Sequence, residues 1–203
     1  MTETVTIVDL IRHGEPVGGG GRYRGHIDDP LSEKGWQQMR DAVAGHSPWN
    51  SIVSSPLSRC SAFANELGQK HDIPVALDDR LKEIGFGGWE GKTKDQISAE
   101  SPTALSSFYD DPIRNRPPGA ETLDDFNSRI SEAWSGLTTQ YSGQHVLLVG
   151  HAGVIRMTML HVLNMPLSSM FRIYVPNAGV TRIRIDGVGD KALTSLMFHA
   201  GTL

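Results

Sequence analysis

One stretch near the start of the chain constrains the fold most, because an apolar run there ends abruptly in charged and imidazole side chains. The run over 6–11 is followed at once by Arg12, His13 and Gly14. It predicts a buried β-strand over residues 4–11. Ligands bind beyond the carboxyl ends of strands in open α/β sheets, so this strand would deliver Arg12 and His13 to the place of a site. A lone histidine is more often structural than catalytic. A functional role for His13 therefore requires partner residues from other parts of the chain.

A second stretch repeats this arrangement late in the chain. Residues 145–150 form a continuous apolar run, His151 and Gly153 follow it, and helical spacing continues over 154–163. The two runs predict strands that lie side by side in one sheet, with His13 and His151 at the same edge.

The rest of the chain alternates predicted helices with predicted strands. Helices are expected from Ser32 to about residue 44, from Pro56 through Leu67, in two pieces over 93–109 and from Thr122 to about Tyr141. Further strands are expected within 49–55 and over 73–77, 171–175, 179–185 and 192–198. The strands at the end of the chain are expected to be antiparallel to one another, because no helical segment lies between them. This order predicts a single α/β domain over 1–203, a three-layer α/β/α sandwich with a mostly parallel sheet and an antiparallel edge.

Two further residues are candidates for the same site. Arg59 falls in the first turn of a predicted helix, where a cation opposes the helix dipole and an anionic ligand would explain it. Glu83 precedes a loop over 85–91 that is too rich in glycine and aromatic residues for a regular helix. It is a candidate general acid; the alternative is a surface cap or salt bridge.

Three residues are candidates for substrate contacts. Arg22 and Arg24 follow four consecutive glycines at 18–21, and they form either a solvated loop or a flexible basic arm over the site. Asn177 lies in a Pro-Asn-Ala-Gly connection, where it makes either a polar contact to a ligand or a turn.

Together these side chains suit a tetrahedral dianion. The guanidinium groups of Arg12 and Arg59 offer planar donors to phosphate oxygens, and one imidazole could attack phosphorus. Glu83 could then protonate the leaving alkoxide. The sequence contains no phosphate-binding Gly-x-x-x-x-Gly-Lys-Ser/Thr loop and no Cys-x-x-Cys or His-x-x-x-His cluster. We therefore expect a mechanism without metal or cofactor.

The composition limits which classes of partner and which compartment are expected. A net charge of −4 and a pI near 6.0 argue against a general nucleic-acid binder. No run of apolar residues is long enough for a membrane span, no signal-peptide pattern is present, and a single cysteine, Cys60, allows no internal disulfide. We expect a cytoplasmic enzyme acting on a small phosphate ester; its oligomeric state stays open, with a homodimer as one alternative.

Four motifs, in order, resemble those of the histidine phosphatase superfamily, the phosphoglycerate mutase-like group. They are Leu-Ile-Arg-His-Gly-Glu at 10–15, Ser-Ser-Pro-Leu-Ser-Arg at 54–59, Glu-Ile-Gly-Phe-Gly-Gly-Trp-Glu-Gly at 83–91 and Gly-His-Ala-Gly at 150–153. The resemblance implies that His13 is a phosphohistidine nucleophile whose other ring nitrogen donates to a backbone carbonyl. It also implies that Arg12, Arg59 and His151 hold the phosphoryl group and that Glu83 is the proton donor.

Within this superfamily the chain looks most like the α-ribazole-5′-phosphate phosphatases of cobalamin assembly. The Gly-rich arm, the loop over 83–91 and the Pro-Pro-Gly-Ala-Glu-Thr segment at 117–122 carry this likeness. One departure is Gly19, which stands where many relatives carry an asparagine near the phosphate. Mutase-type phosphoryl transfer and a broad-specificity phosphatase stay open as alternatives. A catalytically inactive binding module is disfavoured, because His13, Glu83 and His151 are all present.

Overall fold

A computed structural model describes residues 4–201, apart from the side chain of Asp190, and residue 203. Its centre is a sheet of six strands: β1 (Val5–Arg12), β2 (Ser51–Ser54), β3 (Val75–Leu77), β4 (His145–Gly150), β5 (Val180–Asp186) and β6 (Leu193–Gly201). Their order across the sheet is β3-β2-β4-β1-β5-β6. The first four in this order are parallel, whereas β5 runs antiparallel to β1, and β6 antiparallel to β5.

Helices cover both faces of this sheet. They are α1 (Glu33–Ala42), α2 (Ser58–His71), α3 (Lys94–Glu100), α4 (Ala104–Asp110), α5 (Leu123–Gln140) and α6 (Ala152–Val162). Short 3-10 turns lie at Asp79–Leu81, Gly87–Trp89, Leu167–Arg172 and Gly189–Lys191. Ser32 and Thr122 are the N-caps of α1 and α5, as predicted, and each side chain accepts a backbone N–H of the first turn. No helix among the described residues is long and apolar enough to cross a membrane.

The strand β4 shows why its sequence is apolar throughout. Val146 and Leu148 belong to one buried cluster with α5 and α6, and Leu147 and Val149 belong to a second with α1 and α2. Because the strand is covered on both faces, it shows no alternation of polar and apolar residues. The predicted α/β/α sandwich with an antiparallel edge is confirmed.

A buried carboxylate ties three strands together on one face of the sheet. Asp9 in β1 is fully buried and accepts hydrogen bonds from Arg182 in β5, from His145 in β4 and from Trp49. Burial by itself raises the pKa of Asp9, but the hydrogen bonds from His145, Arg182 and Trp49 outweigh it and lower the pKa to about 2. These hydrogen bonds connect β4, β1 and β5 through side chains, in addition to the backbone pairing.

One predicted strand and the predicted position of Pro56 in a helix were wrong. The strand expected over 171–175 is the end of the 3-10 turn Leu167–Arg172 followed by irregular chain. The segment lies against two helices instead. The ring centroid of Phe171 is 4.8 Å from that of Phe108 in α4, and the Ile173 carbonyl accepts a hydrogen bond from Arg156 Nε in α6. Pro56 lies before the N-cap Leu57 and so is outside the first turn of α2.

Candidate active site

The carboxyl ends of β1 and β4 bring the two predicted histidines together. Arg12 lies opposite Gly150 in the parallel register, and the His13 N–H donates to the Gly150 carbonyl at 2.9 Å. The rings of His13 and His151 have centroids 5.2 Å apart and meet edge to face at 65°. His13 is 5% exposed and His151 is 0% exposed. Parallel neighbours end at one edge, so this encounter follows from the sheet order.

A single hydrogen bond fixes the tautomer of His13. Its Nδ1 lies 2.7 Å from the carbonyl oxygen of Gly14, which can only accept, so Nδ1 carries the proton. Burial, followed by the positive charges of Arg12 and Arg59, holds the pKa of His13 well below its ordinary value. His13 is therefore neutral near pH 7, with an unprotonated Nε2, as a nucleophile requires.

Gly14 allows a close approach between two backbone segments. A Cβ there would stand 2.2 Å from the backbone oxygen of Gly35 in α1. The missing side chain lets α1 lie directly against the end of β1.

The guanidinium groups of Arg12 and Arg59 each combine fixed and free donors. Arg12 Nη1 donates to the Val175 carbonyl at 2.7 Å, and Arg59 donates to the carbonyls of Ile27 and Gly25 at 2.7 and 2.8 Å. The Nε atoms of Arg12 and Arg59 are buried and have no acceptor within the described chain. A buried donor without an acceptor is costly, and an oxyanion would satisfy both.

Arg59 is 1% exposed, so it is a buried residue and not part of a surface salt bridge. The guanidinium lies at the N-terminal turn of α2, where the backbone N–H groups also favour an anion.

Glu83 faces the same edge from the loop before the turn at Gly87–Trp89. Its carboxylate accepts the N–H of Gly153 at 3.0 and 3.2 Å and that of Ile84 at 3.0 Å. A Cβ at Gly153 would stand 2.1 Å from Glu83 Oε1, so only glycine permits this approach. The first turn of α6 thus carries His151 at its N-cap and holds Glu83 beside it.

The arm that follows the glycines is pinned rather than free. Arg24 is buried, and its guanidinium donates to Asp29 at 2.9 Å and to the carbonyls of Val17 and Gly19 at 2.9 and 2.7 Å. Arg22 is exposed and donates to the Gly91 carbonyl at 2.8 Å. Both arginines line the cleft. Gly19 has a left-handed φ of 78°, and its carbonyl accepts the hydrogen bond from Arg24.

Asn177 lies in a turn, and it also lines the cleft. Its Nδ2 donates to the His13 carbonyl at 3.2 Å, so it anchors the backbone of the candidate nucleophile.

Sequence reasoning missed the outer wall of the site. A cleft of about 370 Å³ is lined there by aromatic rings from several elements and by two more cations. These residues are Tyr23, Phe86, Tyr109, Phe171, Tyr174, Lys94 and Arg156. The hydroxyls of Tyr23 and Tyr109 lie 2.6 Å apart and join the arm to α4. Only long-range packing brings these residues together, so no local sequence pattern marks them.

No group of three or more histidine, cysteine, aspartate or glutamate side chains in the described ranges could hold a metal ion. Beside His13, the positive charge comes from the guanidinium groups of Arg12 and Arg59.

An α/β sandwich with two imidazoles, two guanidiniums and a carboxyl group at one sheet edge defines a phosphoryl-transfer enzyme. The family model of the histidine phosphatase superfamily (branch 1) matches residues 8–196. The chain belongs to this superfamily, and it is a phosphoric monoester hydrolase.

Named relatives agree on phosphatase chemistry and differ in substrate. An adenosylcobalamin/alpha-ribazole phosphatase of Salmonella typhimurium is 28% identical over 169 residues, which is 82% of this chain and 84% of that protein. A glucosyl-3-phosphoglycerate phosphatase of Mycolicibacterium vanbaalenii is 32% identical over 171 residues, 79% of this chain and 75% of that protein.

A longer relative and a solved structure also resemble the chain over almost all of its length. A bifunctional protein of Mycobacterium tuberculosis is 30% identical over 199 residues, which is 95% of this chain but 54% of that longer protein. The solved structure of a mycobacterial glucosyl-3-phosphoglycerate phosphatase superposes with a TM-score of 0.84 at 27% identity, covering 97% of this chain and 99% of that one.

Proposed function

We propose that this phosphatase works through a covalent phosphohistidine on His13, without a metal ion or cofactor. The observation that carries the proposal is the hydrogen bond between His13 Nδ1 and the Gly14 carbonyl, which leaves Nε2 unprotonated. His13 lines the cleft beside the free Nε donors of Arg12 and Arg59.

In the first step, the Nε2 lone pair attacks phosphorus and the bond from phosphorus to the leaving oxygen breaks. Glu83 gives its proton to that oxygen, so the leaving group departs as an alcohol. Charge develops on the equatorial phosphoryl oxygens, where Arg12, Arg59 and His151 donate. In the second step, water attacks phosphorus, Glu83 takes the water proton, and the P–N bond breaks to release phosphate and neutral His13.

For the substrate, we propose α-ribazole 5′-phosphate or a similar small phosphate ester. The relative from Salmonella supports this choice, because its name includes alpha-ribazole phosphatase. The aromatic rings of Tyr23, Phe86 and Phe171 at the cleft also suit a leaving group that carries an aromatic ring. Arg22, Arg24 and Asn177 are the proposed substrate-side polar contacts.

One observation favours a second candidate, an ester whose leaving group carries its own anion. Arg156 Nε donates to the Ile173 carbonyl at 2.8 Å and the side chain packs over Phe171, but neither Nη atom has an acceptor within the described chain. Burial lowers the pKa of Arg156, and the charge of Glu83 partly offsets this. A cation so placed suits a carboxylate, as the phosphoglycerate part of glucosyl-3-phosphoglycerate would offer.

A panel of esters tests both substrate candidates. Purified protein is assayed for released phosphate with α-ribazole 5′-phosphate, glucosyl-3-phosphoglycerate, 3-phosphoglycerate, sugar phosphates and p-nitrophenyl phosphate. The first proposal predicts the highest kcat/KM for α-ribazole 5′-phosphate. A preference for glucosyl-3-phosphoglycerate that Arg156→Met removes and the exposed control Arg172→Met retains would favour the second candidate. Isomerised phosphoglycerate as the main product would instead indicate mutase chemistry.

A further inference from the structure

Ser55 occupies a position that the proposed mechanism does not yet use. It follows β2 directly, is 0% exposed, and its Oγ lies 2.8 Å from His151 Nε2. The described chain offers this hydroxyl one other hydrogen bond, at 3.4 Å, in which the Leu57 N–H donates to Oγ. The serine oxygen is therefore already an acceptor, and its proton must find an acceptor of its own.

His151 Nε2 is the only acceptor that the described residues present to that proton. If Nε2 itself carried a proton, the buried hydroxyl would keep a donor without a partner, which is unfavourable. Burial, together with the charges of Arg59 and Arg12, lowers the pKa of His151 well below its ordinary value, so the ring is neutral and carries one proton. That proton then resides on Nδ1.

Nothing in the described protein competes strongly for the Nδ1 proton. Cys60 Sγ lies 3.8 Å from Nδ1 and 3.6 Å from Nε2. These nearly equal distances put the sulfur along neither N–H direction, and the thiol is positioned to donate to the Gly150 carbonyl at 3.4 Å. The Nδ1–H group therefore remains for a ligand beside His13, whose ring centroid is 5.2 Å away.

We propose that Ser55 is a positioning residue that holds His151 in the Nδ1-protonated tautomer, so that a neutral imidazole donates to the phosphoryl group. The proposal rests on the phosphohistidine route above. It explains how His151 can donate in a site where two guanidiniums disfavour an imidazolium. It also gives the Ser-Ser-Pro segment a chemical task beyond starting α2.

The direct test is the tautomer itself. Histidine is labelled with ¹⁵N, and the long-range ¹H–¹⁵N pattern of His151 is recorded in the free wild-type protein at neutral pH, with assignment by His151→Gln. The proposal predicts a protonated Nδ1 and an unprotonated Nε2. A protonated Nε2 in the wild type would overturn it, whatever the route of catalysis proves to be.

Three variants then connect the tautomer with function. Ser55→Ala removes the hydroxyl, Ser55→Thr keeps one, and Ser54→Ala is the matched control, because Ser54 is equally buried but donates to the Ser55 carbonyl. Circular dichroism checks that each folds. Ser55→Ala should reduce kcat/KM roughly 10- to 100-fold, as loss of an outer partner of a functional imidazole does elsewhere. It should also weaken inorganic phosphate binding and disturb the His151 tautomer signal, with Ser55→Thr close to wild type.

Unchanged phosphate affinity and an unchanged tautomer signal in a folded Ser55→Ala protein would contradict the proposal. So would an equal loss in Ser54→Ala, since that points to packing alone. If Ser55→Ala does not fold, the wild-type and Ser55→Thr tautomers still decide. Because no NMR readout here needs turnover, failure of this inference is distinguishable from failure of the phosphohistidine route.

Discussion

The carboxylate of Glu83 and the backbone N–H of Gly153 lie 3.0 Å apart and join the loop before the Gly87–Trp89 turn to the first turn of α6. The same helix carries His151 as its N-cap residue. One helix end therefore sets the position of both the proposed acid and one of the proposed phosphoryl-binding groups. Small displacements of this turn would disturb both at once.

Glu83→Gln tests the role of the acid. The amide keeps the shape of the side chain but cannot give a proton, so reaction of alkyl phosphates should fall roughly 10²- to 10⁴-fold. Hydrolysis of p-nitrophenyl phosphate, whose leaving group needs little protonation, should fall much less. The measurement is kcat for both esters in wild type and variant. Equal slowing of the two esters would refute Glu83 as the leaving-group acid.

The acid limb of the pH profile tests the state of His13. Burial and the charges of Arg12 and Arg59 lower the pKa of His13 well below 6.5, so its reactive neutral form persists as the pH falls past that value. The acid limb of kcat/KM attributable to His13 should therefore lie well below pH 6.5. Replacing Arg12 with Gln removes one charge and should move that limb upward. An acid limb at or above 6.5 in the wild type would contradict this account.

The buried Asp9 predicts a stability effect remote from the site. Asp9→Asn leaves Arg182 and His145 facing an amide, and loss of one partner of a buried ion pair costs roughly 3–5 kcal/mol of unfolding free energy. Urea denaturation at neutral pH measures this loss of unfolding free energy. Glu66→Gln, which breaks an exposed ion pair with Arg40, is the control and should change the unfolding free energy little.

The same carboxylate gives wild type a defined acid sensitivity. Its folded pKa of about 2 lies below the ordinary 3.8, so its stabilisation is present above pH 3.8 and is lost as the pH falls towards 2. Asp9→Asn should lack this component of the pH dependence. An identical acid dependence in wild type and variant would show that Asp9 is not the group responsible.

Chelation tests the expectation of a metal-free mechanism. In the proposed mechanism, Arg12 and Arg59 supply the positive charge that faces the phosphoryl oxygens, and the described residues contain no cluster of three metal-binding side chains. Dialysis against EDTA should leave the rate of phosphate release unchanged. A large loss that is restored by a divalent cation would contradict this expectation.

The side chains that meet at this sheet edge could be located from the sequence, because each of them is tied to a local pattern. His13 and His151 end apolar strands, Arg59 lies in the first turn of a helix, and Glu83 precedes a glycine-rich loop. Parallel strand ends share one edge, so the sheet order brings the first three together. The apolar pattern over 171–175 was misleading, because this segment joins no strand: Phe171 packs on Phe108 of α4, and the Ile173 carbonyl accepts from Arg156 of α6.

The outer wall of the cleft could not be predicted, because its residues come together only through tertiary packing. Tyr23 and Tyr109 are hydrogen bonded across 86 positions, and Arg156 extends from a helix interior to a cleft that other segments close. No local sequence pattern marks these three residues, because tertiary packing alone decides which face of α4 or α6 lines the cleft.

The central claim is a phosphoryl group on His13, and trapping it is the most direct measurement. The enzyme is mixed with a rapidly turned-over phosphate ester, quenched in alkali within milliseconds, and digested for mass spectrometry under conditions that preserve acid-labile phosphoramidates. The account predicts one transient phosphoryl group on His13, absent from His13→Ala, which should fold normally and lose turnover. Near-wild-type turnover by His13→Ala, or a phosphoryl group on another residue, would contradict it.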